Sequence, residues 1–278
     1  MRKAIIPALA LLVTTGAFAQ MRTPRPSPSA TLMQTVGLTD ITIKYSRPGV
    51  KGRAIWGALV PYGQVWRTGA NEATTIAFSD DVTVEGQKLA KGTYSLHTIP
   101  GADQWTIIFN SVADQWGSYS YDATKDVLRV NVKPQTGEYR EWLTFDIPDL
   151  TTDTAKIAIR WEKIVVPFTV NTDSVARTMA QFKAALNPQP DWRTPYGAAS
   201  FAFDNKGVAT DAEIQTWLDQ SLKANQNIAN LYLRARLAER MGDKADAIRY
   251  GEMAIAAAKP DQADFASEVR RNVENWKK

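Results

Sequence analysis

From residue 30 to residue 170 the dominant spacing of the apolar side chains is two, that of strands with one buried face. Ile41, Ile43 and Tyr45 alternate with Thr42 and Lys44, and Ile76 and Phe78 alternate with Ala77 and Ser79. The same rhythm runs through Trp105, Ile107 and Phe109, then Leu128, Val130 and Val132, then Leu143, Phe145 and Ile147, then Ile157, Ile159 and Trp161. Val82 and Val84 lead into Glu85-Gly86, which reads as a hairpin turn, and Lys91-Gly92 reads as another before a strand at 93–99. Beyond Trp161 the apolar positions move from odd to even numbers, through Ile164, Val166, Phe168 and Val170. One extra residue near Glu162-Lys163 restores the core-facing register, so a bulge or bend is expected there. The total is about nine or ten short strands, with no crossover helix between them, so a mainly antiparallel sandwich or flattened barrel is expected.

After Asn171 the period becomes helical. Val175, Met179, Phe182 and Leu186 share a stripe, with Asp173 or Ser174 as the N-cap. Helical patterns resume at about 195–204, 211–224, 227–241, 244–258 and 263–276, and Gly207, Gly242 and Pro260 lie in the separators. A weak repeat at an offset of 33 residues aligns Ala202 with Ala235, Trp217 with Tyr250 and Leu222 with Ile255. That length and pattern resemble tetratricopeptide repeats, while an ordinary bundle of helical hairpins fits as well. The expected organisation is a signal at 1–19, an extended leader at 20–29, a β domain at 30–170 and a helical region at 171–278.

Composition narrows the function classes. Arg2 and Lys3, the apolar centre at 5–13 and Ala17-Phe18-Ala19 have the form of a secretory signal cleaved after Ala19, which implies an exported, periplasmic or extracellular protein. The apolar run is shorter than the roughly 20 residues that span a bilayer, so no membrane span is expected. With 33 basic and 29 acidic residues, the loss of Arg2 and Lys3 leaves an excess of only two positive charges, too few and too dispersed for nucleic acid. There is no cysteine and one histidine, which excludes disulfides, thiolate chemistry and the usual zinc sites. No P-loop or dinucleotide fingerprint follows a strand. No cofactor or metal is expected.

The richest chemistry lies in residues 45–75, YSRPGVKGRAIWGALVPYGQVWRTGANEATT. Its glycines and prolines break any helix. Arg47, Arg53 and Arg67, with Lys51, offer cationic donors for a carboxylate, sulfate or phosphate, and Asn71 and Glu72 offer amide and carboxylate groups. Trp66, Trp116 and Tyr119 offer faces for a sugar or aromatic ring. In a structural alternative the tryptophans plug one end of the β domain and Arg67 pairs with Glu72 in the interior. His97 could serve as a general base, with Ser95, Ser46 or Thr68 as nucleophile and Glu72 or Asp81 as orienter, although no G-x-S-x-G elbow is present. Glu72, Asp81, Glu141 and Asp146 are the candidates for a glycosidase pair, each equally readable as a salt-bridge partner.

The string YSRPGVKGRAIWGALVPYGQVWRTGANEATTIAFSDDV, followed by GTYSLHTIP, WTIIFN, QWGSYSYD, DVLRV and WEKIVVPF, resembles a bacterial domain family of unknown function, number 2911, over about residues 28–170. The resemblance implies an exported, mostly β domain followed by a helical tail. It supplies no activity. The reading is a non-catalytic protein that recognises a small anionic or carbohydrate-like ligand, or an envelope component, through Arg47, Lys51, Arg53, Arg67, Asn71, Glu72, His97, Trp116 and Tyr119. The C-terminal helices would offer a surface to a protein partner. The alternatives are a hydrolase of envelope sugars or esters and a purely structural module.

Overall fold

The computed structural model describes residues 23–186 and 191–278. The expected signal at 1–19, the start of the leader, and residues 187–190 of the proline-containing interruption lie outside the described residues.

Among the described residues ten strands form two antiparallel sheets. The first has the order β1 (Ser29–Val36), β2 (Thr39–Ser46), β3 (Thr75–Phe78), β6 (Gly92–Ile99), β7 (Trp105–Asn110) and β8 (Asp126–Val132). The second has the order β5 (Gln87–Leu89), β4 (Val82–Val84), β10 (Thr154–Asn171) and β9 (Gln135–Leu150). The alternating residues do what their spacing demands: Ile41, Ile43, Ile76, Leu96, Ile107 and Phe109 from one sheet meet Leu143, Ile157, Trp161 and Phe168 from the other in a single core. Each such aliphatic or phenyl side chain contributes roughly 2–3 kcal/mol of burial.

Two turn expectations have different outcomes. Glu85 and Gly86 both have positive φ, 48° and 77°, and close the β4–β5 hairpin as the two-residue type I′ geometry requires. Lys91-Gly92 is not a hairpin turn, because β5 and β6 belong to different sheets and the chain crosses between layers there. The bulge is where the register change put it: Glu162 has φ 55° and the β9–β10 pairing slips on both sides of it.

Among the described residues six α-helices follow: α1 (Ser174–Ala185), α2 (Arg193–Asp204), α3 (Asp211–Ala224), α4 (Ile228–Arg240), α5 (Lys244–Ala256) and α6 (Ala263–Lys277). Capping boxes at Thr210/Glu213 and Asn227/Asn230 start α3 and α4. Gly242, with φ 82°, ends α4 by letting its own N–H and that of Asp243 return to Glu239 O and Ala238 O. Asp173 is the N-cap of α1, yet its carboxylate makes no capping bond; Asp153 Oδ1 accepts the Val175 N–H instead, at 2.8 Å. The helices have their own apolar clusters, separate from the β core. Polar contacts tie α1 to the sheets: Arg177 Nη2 is 2.6 Å from Asp80 Oδ1, its Nη1 donates to Thr39 Oγ1, and the Leu38 N–H donates to Ser174 Oγ. Among the described residues no helix is long and apolar enough to cross a membrane.

Candidate functional site

Between β2 and β3 the chain makes no strand or helix. Isolated antiparallel bridges hold it instead: Gly49 to Trp142, Trp66 to Thr98 and Glu72 to Trp116. Trp56, Trp66, Trp105 and Trp161 form a cluster at this end of the sandwich. Trp66 stacks on Trp161 at 5.9 Å with an interplanar angle of 17°, and Trp56 meets the other three edge-on at 5.1 to 5.9 Å. Of the tryptophans expected to plug this end, Trp66 joins the cluster and Trp116 does not, and Trp66 and Trp161 also wall an opening.

That opening is a cleft of about 450 Å³ bounded by Ser27, Pro48, Arg53, Leu59, Trp66, Arg67, Ser118, Tyr119 and Trp161, among others. Its described lining contains two arginines and no carboxylate. Arg53 folds over its own loop, donating from Nε to Val50 O and from Nη2 to Gly49 O. Arg67 differs. Its Nη1 lies against Gly117, where an added Cβ would come within 2.8 Å, and its Nε is buried without a partner. Nε and Nη2 share the edge with which a guanidinium grips two oxygens of one oxyanion. Tyr119, 83% exposed, stands at the rim.

The remaining expected residues do not converge on the cleft. Arg47 donates from Nε to Leu143 O at 2.9 Å and from Nη2 to Thr144 Oγ1 at 2.7 Å, so it braces β9. Lys51 stands over the Trp142 ring at 5.8 Å. Asn71, with φ 59°, donates from Nδ2 to Ser27 O and Ser46 Oγ. Glu72 makes no internal pair with Arg67; both its oxygens accept from Arg25 Nη1, at 2.7 and 2.9 Å. That bond holds the Glu72 carboxyl below the ordinary carboxylate range. Trp116 is 58% exposed and sits opposite Glu72 outside the cleft.

Residues 23–29, the described part of the expected leader, are largely exposed yet pinned. Arg25 bonds to Glu72, Ser27 O accepts from Asn71, and Pro28 O accepts the Arg47 N–H at 2.8 Å. Ser27 and Ser118 were invisible as site residues in the sequence. Ser27 lies in a segment without periodicity, and only the fold brings residue 118 beside residue 67.

His97 is fully buried on the face of β6 covered by the 111–122 loop. Its Nδ1 lies 3.3 Å from Ser118 Oγ, its ring is 5.1 Å from that of Tyr121, and Nε2 has no partner. Burial pushes its pKa down to about 4, against a smaller upward pull from Asp126. The Trp66–Thr98 bridge makes Arg67 and His97 neighbours in register. None of the expected nucleophiles serves this imidazole: Ser95 Oγ accepts from Gln115, Thr68 Oγ1 contacts Thr98, and Ser46 Oγ accepts from Asn71.

The four candidate carboxylates are dispersed. Glu72 is on Arg25, Asp81 accepts the Lys91 N–H, Glu141 accepts from the Lys51 N–H and the Tyr139 hydroxyl, and Asp146 is 2.7 Å from Arg160. Among the described residues no group of three or more His, Asp or Glu could hold a metal ion.

A family model described as "Protein of unknown function (DUF2911)" matches residues 27–170, which begin in the pinned leader and end one residue before the end of β10. No curated protein and no solved structure matches the chain.

Proposed function

The chain belongs to the family described as protein of unknown function (DUF2911), and from that premise we propose that it is a non-catalytic recognition protein whose cleft takes a small anionic or carbohydrate-like ligand. The observation that carries this reading is the lining: two arginines and no carboxylate, with the Arg67 Nε buried and unpartnered. A buried donor left unpaired costs about 1–3 kcal/mol, and an oxyanion on the Nε–Nη2 edge removes that cost. The volume lies in the range of small-molecule sites, and aromatic walls suit a ring that carries the anion. Export after Ala19 belongs to the same proposal and rests on the charged start, apolar centre and small-x-small end of residues 1–19. A protein-contact role for the helices, in a tetratricopeptide-like arrangement, rests on the 33-residue offset and the turn at Gly242.

The Ser118–His97 contact favours a second reading, a hydrolase with Ser118 as nucleophile and His97 as base. Two features weigh against it. No carboxylate bonds to the imidazole, and burial disfavours the protonated form that a general base must pass through.

The test is a thermal-shift screen of anions, sugars and peptides against wild type and Arg67→Ala. A ligand at 100 times its Kd stabilises the folded state by about 2.7 kcal/mol. An anionic compound that raises the Tm of wild type and leaves Arg67→Ala unmoved supports the reading, and no selective shift from any compound overturns it.

A further inference from the structure

A second recess, of about 480 Å³, adjoins the cleft on the outer face of the first sheet, bounded by Arg25, Ser29, Lys44, Ser46, Glu72 and Thr75 among others. The two openings share one divider, the leader strap. Ser27 faces the cleft while Arg25 and Ser29 face the recess. Ser27 is two residues from both Arg25 and Ser29, at most about 7 Å of extended chain, so the two openings lie close together along the strap. Along the combined path lie Arg53 and Arg67, then Arg25 and Lys44, with Glu72 as the one carboxylate in either lining. Glu72 is committed to Arg25, and both side chains are about half exposed, an ion pair worth little in water. Exposed aromatic faces accompany the path, Tyr119 at the cleft rim and Trp116 opposite Glu72.

We propose that cleft and recess together form one tract for a linear acidic oligosaccharide, with one anionic sugar on Arg67 in the cleft and another on Lys44 in the recess. This rests on the cleft being a ligand site and adds the ligand's polymeric class. A chain of acidic sugars carries its charges one ring apart and offers an apolar ring face to Tyr119 at the cleft rim. Glu72 sets the cost of entry, because the incoming anion competes with it for Arg25.

The test is calorimetric titration of the full chain with galacturonate, trigalacturonate, the neutral trisaccharide maltotriose and tripolyphosphate. The expected result is that trigalacturonate binds at least tenfold more tightly than galacturonate. Lys44→Ala should remove that gain without changing galacturonate affinity, and Glu72→Gln should increase it. Lys44 is exposed on β2, so its removal leaves the fold intact. A trimer no tighter than the monomer, or a gain that survives Lys44→Ala, overturns the tract while leaving the cleft reading standing. Failure of galacturonate and trigalacturonate alike overturns the tract, and the cleft reading then stands or falls on the Arg67-dependent screen. Equal gains with tripolyphosphate, or binding of maltotriose as tight as the acidic trimer, overturn the assignment to acidic saccharides.

Discussion

His97 Nδ1 lies 3.3 Å from Ser118 Oγ, which joins a fully buried strand side chain to a residue on the edge of the cleft. The imidazole is neutral here because burial lowers its pKa from the ordinary 6.5 to about 4. In the unfolded chain it takes up a proton below about pH 6.5, while the folded chain refuses one until about pH 4. The stabilisation is therefore fully present above pH 6.5 and is lost as pH falls through that window. It amounts to about 3 kcal/mol, an order-of-magnitude figure. Urea unfolding at pH 7 and pH 4 checks this: wild type should lose about 3 kcal/mol more than His97→Gln over the interval.

Gly117 lets Arg67 lie where it does. Its φ of 67° is strained for any residue with a Cβ, and that Cβ would sit 2.8 Å from Arg67 Nη1 and 2.9 Å from the Tyr119 ring. Gly117→Ala should cost about 1–2 kcal/mol from the backbone alone and push the guanidinium from its place. The measurement is paired: the midpoint of chemical unfolding falls, and any anion-dependent thermal shift falls with it. Arg67→Ala, which removes an unpartnered Nε, should abolish the anion effect with a smaller loss of stability.

The strands and helices that bury one face were legible because burial imposes a period, and the bulge was legible because Ile164 had to return to the core after Trp161. β1 was not, since it is an edge strand with Met33 61% exposed and no cleanly apolar face. The first half of β9, Gln135 to Glu141, escaped for the same reason, being largely exposed and polar. Within the site the sequence named the segment and two of the lining cations, Arg53 and Arg67. It could not separate Arg67 from Arg47, because what distinguishes them is the Leu143 carbonyl that Arg47 meets and Arg67 does not. Partners 96 residues away leave no local pattern.

Glu162 is held at φ 55° in the middle of β10, where a side chain in the left-handed region costs about 1–2 kcal/mol. Its carboxylate offsets part of this by accepting the Lys163 N–H at 2.7 Å. Glu162→Gly should leave stability level or raise it by up to about 1 kcal/mol, whereas Glu162→Val, branched and without the acceptor, should lower it by about 2 kcal/mol. Unfolding midpoints of the two variants rank the backbone term directly.

The last prediction concerns the joint between the two cores. Gly37, with φ 58°, turns β1 into β2 directly beneath α1, and a Cβ there would fall 2.2 Å from Ser174 Oγ and 2.6 Å from Thr152 O. Ser174 in turn accepts the Leu38 N–H, and Arg177 one turn further on reaches Asp80 and Thr39. Since the helical clusters share no residues with the β core, this small polar contact couples the unfolding of one part to that of the other. Gly37→Ala forces α1 off the turn, and Arg177→Ala removes the ion pair without a clash, at about 1 kcal/mol for a pair only partly shielded from water. Calorimetry should show Gly37→Ala splitting the transition further than Arg177→Ala does, with the β-domain tryptophan signal melting apart from the helical circular-dichroism signal. A single coincident transition in both variants would mean that the coupling runs through contacts other than this joint.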